Sequence, residues 1–202
     1  MSRILTIGLS KGYLMKEALH YFETVGIIAE PYNDRQLILW DTTHQVRFLI
    51  LRPTDVPVYV QQGIVDLGVT GLDMIREEEP DVCVLRDLKF GACRLSVCGD
   101  VNRPLSELTH GVRVATKFTN CTQKYFESLG IKVDIIKLYG SVELAAITGL
   151  SDFVVDLVAT GKTLEENGLK EQITLFDSTA HLVANPVFYS LHFEQIKRFI
   201  AK

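Results

Sequence analysis

Short runs of apolar and β-branched residues alternate along the chain with segments whose apolar positions recur every three or four residues. The runs Ile4–Leu9, Gln36–Trp40, Phe48–Leu51, Val65–Val69, Leu95–Cys98, Val112–Ala115, Val133–Leu138, Phe153–Val158 and Ile173–Phe176 predict strands. Helices are predicted over Asp55–Gln62, Leu72–Glu78, Thr122–Leu129, Val142–Ile147, Lys162–Asn167 and Phe188–Ala201. A further helix follows Ile4–Leu9, with Ser10 as its N-cap, Leu14, Ala18, Leu19, Phe22 and Val25 on one stripe, and Gly26 as its stop. Strands alternating with helices in this way predict an α/β chain with a mostly parallel sheet covered by helices.

The chain also echoes itself. Phe22-Glu23-Thr24-Val25-Gly26-Ile27 ends the first helix, and Phe126-Glu127-Ser128-Leu129-Gly130-Ile131 ends a later one. Gly63-Ile64-Val65-Asp66-Leu67-Gly68-Val69 is matched by Gly149-Leu150-Ser151-Asp152-Phe153-Val154-Val155, each a helix stop running into a strand around an aspartate. These pairings predict two similar α/β lobes, residues 1–88 plus about 178–202 and residues 89–177, with the boundary near Asp87–Cys93. The cleft between two such lobes is the default ligand site.

Composition narrows the classes. The chain has 202 residues, 47% of them hydrophobic, enough to bury real cores; with 23% charged residues and no low-complexity tract, disorder is a poor reading. Met1–Leu9 carries one arginine and a short apolar run with no small-residue cleavage site, and Lys11, Lys16 and Glu17 follow. Neither a signal peptide nor a membrane span fits, so the chain is expected to be cytosolic. Cys83, Cys93, Cys98 and Cys121 form no C-x-x-C pair, and the histidines are scattered; both patterns point to buried thiols in a reducing compartment and not to a metal centre. A net charge of −4 argues against nucleic-acid binding but not against a small phosphorylated ligand.

The chemistry concentrates in Asp152-Phe-Val-Val-Asp156-Leu-Val-Ala-Thr160-Gly161-Lys162-Thr163. A strand ends, a Thr-Gly-x-Thr turn follows, and a helix begins. Unsatisfied N–H groups and the positive end of the helix dipole favour a phosphate there; glycine permits close approach, and Thr160, Thr163 and Lys162 add donors. Asp152 and Asp156, four apart on one strand face, suit the vicinal hydroxyls of a ribose or a magnesium ion shared with a pyrophosphate. The same turn is also used simply as a helix cap, and Asp152 could be a strand-edge residue facing water.

The D-x-x-x-T-G-x-T pattern resembles the ribose-phosphate loop of phosphoribosyltransferases, and the match widens around it. Ser10-Lys11-Gly12, Asp34-Arg35-Gln36-Leu37, Leu51-Arg52-Pro53-Thr54-Asp55-Val56-Pro57, Asp66-Leu67-Gly68-Val69-Thr70-Gly71-Leu72-Asp73, Phe90-Gly91-Ala92-Cys93-Arg94-Leu95, Arg113-Val114-Ala115-Thr116-Lys117, Lys137-Leu138-Tyr139-Gly140-Ser141-Val142-Glu143-Leu144-Ala145 and Thr160-Gly161-Lys162-Thr163-Leu164 follow in order. Together they resemble the ATP phosphoribosyltransferase family over almost the whole chain. The resemblance implies lobes like those of type II periplasmic binding proteins. It also implies condensation of ATP with phosphoribosyl pyrophosphate, with magnesium. The long form of the family carries a histidine-sensing C-terminal domain, for which this sequence leaves no room. The short form is therefore expected, as a homodimer in a hetero-oligomer with a regulatory subunit resembling histidyl-tRNA synthetase, and with neither nucleic acid nor membrane as partner.

On this resemblance Thr160, Gly161, Lys162 and Thr163 cradle phosphate, and Asp152 and Asp156 hold ribose hydroxyls, with Asp156 the magnesium ligand. Ser141, Glu143 and Asp73 are further substrate contacts, and Lys11, Arg35 and Arg52 neutralise the triphosphate and pyrophosphate. A solvated surface cation is the alternative for each basic residue. Tyr13 stands where the family usually has arginine, Ala159 where it often has an acidic residue, and Ala146-Ile147-Thr148 replaces a commoner Pro-Leu run. Two competing readings are a two-lobed solute-binding module and a nucleotide-salvage phosphoribosyltransferase. The latter explains the Thr-Gly-x-Thr turn and leaves the other blocks unexplained.

Overall fold

The computed structural model describes residues 3–33, 35–103 and 105–200; Asp34 of the second motif block lies outside them. The first sheet grows around β1 (Leu5–Ser10), almost wholly buried, with β3 (Val46–Leu51) and β4 (Leu67–Gly71) parallel on either side. Such central strands have a covered face on both sides, which is why they read as unbroken apolar runs. Beyond β3 lies antiparallel β2 (Ile38–Trp40), and beyond β4 lie β11 (Ala180–Ala184) and β5 (Cys83–Asp87), giving the order β2-β3-β1-β4-β11-β5. Helices α1 (Tyr13–Thr24), α2 (Asp55–Gln61), α3 (Leu72–Glu78) and α7 (Pro186–Ile200) belong to this unit. Phe22 of α1, fully buried, meets Phe48 and Phe199 with ring centroids 5.6 and 5.9 Å away, so the C-terminal helix is part of the first core.

The second unit repeats the plan. Its sheet runs β10 (Leu169–Ser178), β6 (Cys93–Asp100), β9 (Phe153–Val158), β7 (Arg113–Thr116), β8 (Asp134–Lys137). Helices α4 (Thr119–Ser128), α5 (Glu143–Ile147) and α6 (Lys162–Glu166) cover it. By contacts the chain divides into residues 1–91 plus 179–202 and residues 92–178. In each unit three parallel strands carry a reversed strand on one side, β11 in the first and β6 in the second, with β5 or β10 paired antiparallel beyond it; the first unit adds antiparallel β2 on its other side. The sheets are therefore mixed, not mostly parallel as expected. Strand–helix–strand crossovers build the parallel core, whereas β6 and β11 enter their sheets in the opposite sense.

The sequence echoes are structural echoes. Ile27 N–H donates to the Phe22 carbonyl and Ile131 N–H to the Phe126 carbonyl, both at 2.9 Å, across glycines with φ of 84° and 70°. Asp66 accepts the Thr6 N–H at 2.8 Å and Asp152 the Arg113 N–H at 2.9 Å, and each aspartate returns its own N–H to the same residue's carbonyl. Ser10 is the last residue of β1 and not a helix cap: its hydroxyl donates to the Val69 carbonyl, just as Thr116 at the end of β7 donates to Val155.

Gly68 of β4 faces α2. A Cβ there would lie 2.6 Å from Val60 Cγ2 and 2.9 Å from Val56 Cγ1, side chains stiff at χ1. Gly68→Ala is expected to cost about 1–3 kcal/mol through overpacking. A thermal melt checks this, and a wild-type midpoint would contradict the packing.

Candidate active site

The Thr-Gly-x-Thr turn leaves the C-terminal end of β9, where parallel strands of an α/β sheet present ligands. Gly161 is left-handed, with φ 80° and ψ −5°, a conformation that aims successive N–H groups into one concavity. Within the turn, Lys162 N–H reaches Thr160 Oγ1 only at 3.5 Å. The helix that follows has just five residues, so the expected dipole is weak and the backbone donors carry the weight. Thr160, Gly161 and Thr163 line a pocket of about 190 Å³ together with Glu143, Asp156 and Ala159.

Asp156 supplies the acidic wall. Its Oδ1 accepts the Leu157 N–H at 2.8 Å and lies 3.8 Å from Lys117 Nζ. Burial pushes its carboxyl above the ordinary carboxylate value; Lys117 and the Leu157 N–H oppose this, while Glu143 adds to it. Two carboxylates and one ammonium thus share the mouth of the turn.

Several expected residues lie elsewhere. Asp152 sits just before β9, about 13 Å along the strand from Asp156. Arg113 and Arg103 hold its carboxylate at 3.1 and 3.3 Å, and these arginines lower its pKa. As the counterpart of Asp66, which pairs with Arg3, it ties strand starts together, and the structure does not bring it to the pocket that Asp156 lines. Lys162 is exposed and its side chain does not line the pocket. Ser141 is exposed with φ 48°, two residues before Glu143 and outside the lining. Asp73, in the first unit, is buried with its carboxylate against Gly71, where a Cβ would meet Oδ1 at 2.1 Å.

In the first unit Lys11 follows β1, and its N–H donates at 2.8 Å to the carbonyl of Leu51, the residue before Arg52. Both cations therefore leave adjacent parallel strands at the same end. Lys11 lines a pocket of about 390 Å³ with Gly12, Tyr13, Lys16, Tyr32 and Asn33. Arg35 is exposed beside it, its N–H on Asn33 Oδ1 at 3.0 Å, but is not part of the lining. Arg52 is also exposed, and its carbonyl takes the first N–H groups of α2.

Lys117 and the Arg94–Glu171 pair are not singled out for the site by the sequence, whereas Lys16, one helical turn after Tyr13, is. For Lys117 a signal existed: Ser10-Lys11 and Thr116-Lys117 each place lysine after a strand-terminal hydroxyl. Arg94 and Glu171 lie 77 residues apart, and no local pattern links them.

A family model described as ATP phosphoribosyltransferase (HisG) matches residues 52–202. An ATP phosphoribosyltransferase of Rippkaea orientalis is 47% identical over 205 residues, covering 98% of this chain and 97% of that protein. The ATP phosphoribosyl transferase (HisG:HisZ) complex from Thermotoga maritima contains a chain 35% identical with a TM-score of 0.84, covering 98% of this chain and 96% of that one. The periplasmic aliphatic sulphonate binding protein SsuA from Escherichia coli matches at a TM-score of 0.62 and 14% identity, covering 98% and 72% of the two chains, a likeness of fold alone.

Proposed function

The chain belongs to the ATP phosphoribosyltransferase family, and from that premise we propose that the turn after β9 receives the phosphoribosyl substrate and the pocket beside α1 the phosphates of ATP. The protein is an enzyme, a pentosyltransferase. It joins N1 of the adenine of ATP to the ribosyl carbon of phosphoribosyl pyrophosphate, releasing pyrophosphate, in the first step of histidine biosynthesis. N1 has a free lone pair, so attack needs no base. The residues must instead place the ribosyl carbon in line and neutralise the departing pyrophosphate. One observation carries the assignment: Asp156 and the Thr160-Gly161-x-Thr163 turn line a single pocket.

In this reading the turn N–H groups and the two threonines hold the 5′-phosphate, Asp156 the ribose hydroxyls, and Glu143 the opposite wall. Lys11, Arg52 and Arg35 meet the phosphate chains. Asp156 and Glu143 offer hard oxygens in the number magnesium takes from protein when substrate phosphates complete its shell. Among the described residues no group of three or more His, Cys, Asp or Glu could hold a metal unaided, which fits an ion arriving on the pyrophosphate. Bound there, it would neutralise the leaving group, with Asp156 as its ligand. Calorimetric titration with phosphoribosyl pyrophosphate, with and without a chelator, tests the metal: roughly tenfold weaker binding without it is expected from one lost ionic contact, and equal affinity would remove magnesium from the reading. A cytoplasmic homodimer working with a regulatory subunit resembling histidyl-tRNA synthetase completes the proposal; the HisG:HisZ complex supports its hetero-oligomeric part.

Tyr13 opens α1 and Lys16 lies one turn on; both line the pocket with Lys11. Lys16 is thus placed to supply the charge that Tyr13 lacks. Lys16→Ala is expected to lower kcat/KM for ATP by about tenfold, the scale of one charge-assisted bond, and Tyr13→Arg to restore it. Steady-state kinetics of both single variants and the double decide, and a harmless Lys16→Ala rules compensation out.

A further inference from the structure

The turn that receives phosphate has few bonds of its own, yet one side chain from a neighbouring strand reaches it. Arg94 of β6 lies opposite Val158, the last residue of β9. Its Nε donates to Glu171 Oε1 at 2.5 Å and its Nη2 to Glu171 Oε2, so one edge of the guanidinium is clamped by β10. The other nitrogen, Nη1, points to the carbonyl of Ala159 at 3.4 Å, the residue that opens the turn. Glu171 is itself anchored: Ser96 Oγ donates to it at 2.7 Å and Thr174 Oγ1 at 3.0 Å. Arg94, followed by these hydroxyls, holds the Glu171 carboxyl down at about 2, so the clamp stays ionised at any physiological pH.

The first unit shows what this clamp replaces. There the corresponding turn, between β4 and α3, is held by backbone: Leu72 N–H donates at 3.0 Å to the carbonyl of Thr179, just ahead of β11. β6 occupies the place of β11 in the second sheet, and there the side chain of Arg94 reaches the turn. A planar fork spanning a carboxylate and a carbonyl cannot be copied by lysine, whose ammonium is a point donor on a flexible stem.

We propose that Arg94, clamped by Glu171, is a positioning residue that fixes the Ala159–Gly161 turn in its phosphate-receiving conformation; the inference rests on the phosphate-turn reading above. It predicts a turn ordered before substrate arrives, so that binding does not have to order it.

The test combines amide hydrogen exchange of the ligand-free protein with steady-state kinetics for Arg94→Lys, Arg94→Met and Glu171→Gln. Exchange at Thr160–Lys162 is expected to quicken by roughly tenfold, and KM for phosphoribosyl pyrophosphate to rise by roughly tenfold, with KM for ATP and exchange in β6 and β9 little changed. Arg94→Lys should behave like Arg94→Met, because the geometry and not the charge is lost; it also carries the test should the methionine variant not fold. Unchanged turn exchange, a lysine variant equal to wild type, both KM values rising together, or faster exchange with an unchanged KM would each overturn the proposal. Failure of the phosphate-turn reading itself would show separately, as wild-type substrate affinity in Gly161→Val.

Discussion

Gly161→Val is expected to weaken binding of phosphoribosyl pyrophosphate by at least about 100-fold, the loss of two charge-assisted bonds to phosphate. The cause is conformational. Gly161 sits at φ 80°, where a β-branched residue is a genuine outlier. The space beside it is open, since the atom nearest an added Cβ is Val158 Cγ1 at 3.9 Å. Valine would therefore not clash with the core; it would drive the turn to negative φ and swing its N–H groups off the phosphate. Because the turn is largely exposed, the circular dichroism spectrum should be that of wild type. Calorimetry showing unchanged affinity alongside an unchanged spectrum would sink the turn as the phosphate site.

Asp156→Asn comes next in expected size, with turnover falling by roughly two orders of magnitude. The substitution keeps the shape of the side chain and removes the charge that faces Lys117 and Glu143. On the proposed reading, the ribose hydroxyls and any cation arriving on the pyrophosphate would then lack an anionic partner at Asp156. Asp152→Asn is the internal control. Its carboxylate is committed to Arg103 and Arg113, so that variant should lose stability in preference to turnover. An Asp156→Asn enzyme within about threefold of wild type would mark the residue as structural, since removing a transition-state contact costs far more.

The pattern of apolar residues located the strands that cross the middle of a sheet. Phe153–Val158 is β9 to the residue, because a strand buried on both faces has to be an apolar run. Ala180–Ala184 was not legible as β11: alanines and a histidine carry little β-propensity, and its pairing with β4 and β5 decides its state. α7 starts at Pro186, two residues before the expected Phe188; the signal that could have placed it is Asn185-Pro186, a cap followed by proline at the first helical position. The Asn185 carboxamide accepts the Val187 and Phe188 N–H groups at 3.0 Å.

That the turn and Asp156 line one pocket was readable because a strand end, a glycine and two threonines are contiguous in sequence. Asp152 falls outside that pocket: four-residue spacing on a strand specifies a face but not an end, and its likeness to Asp66 already pointed to a structural duty. Lys16 was readable from its one-turn spacing to Tyr13, and the two line one pocket. Arg94 depends on packing, since it meets Glu171 only through the β6–β10 pairing.

Pyrophosphate release measured with ATP and phosphoribosyl pyrophosphate together, each alone, and each combination with and without the regulatory subunit tests the central claim most directly. Release that requires both substrates, and that the regulatory subunit leaves unchanged or accelerates, is the expected result. No release from the complete mixture, or equal release when a free nucleobase replaces ATP, would contradict it.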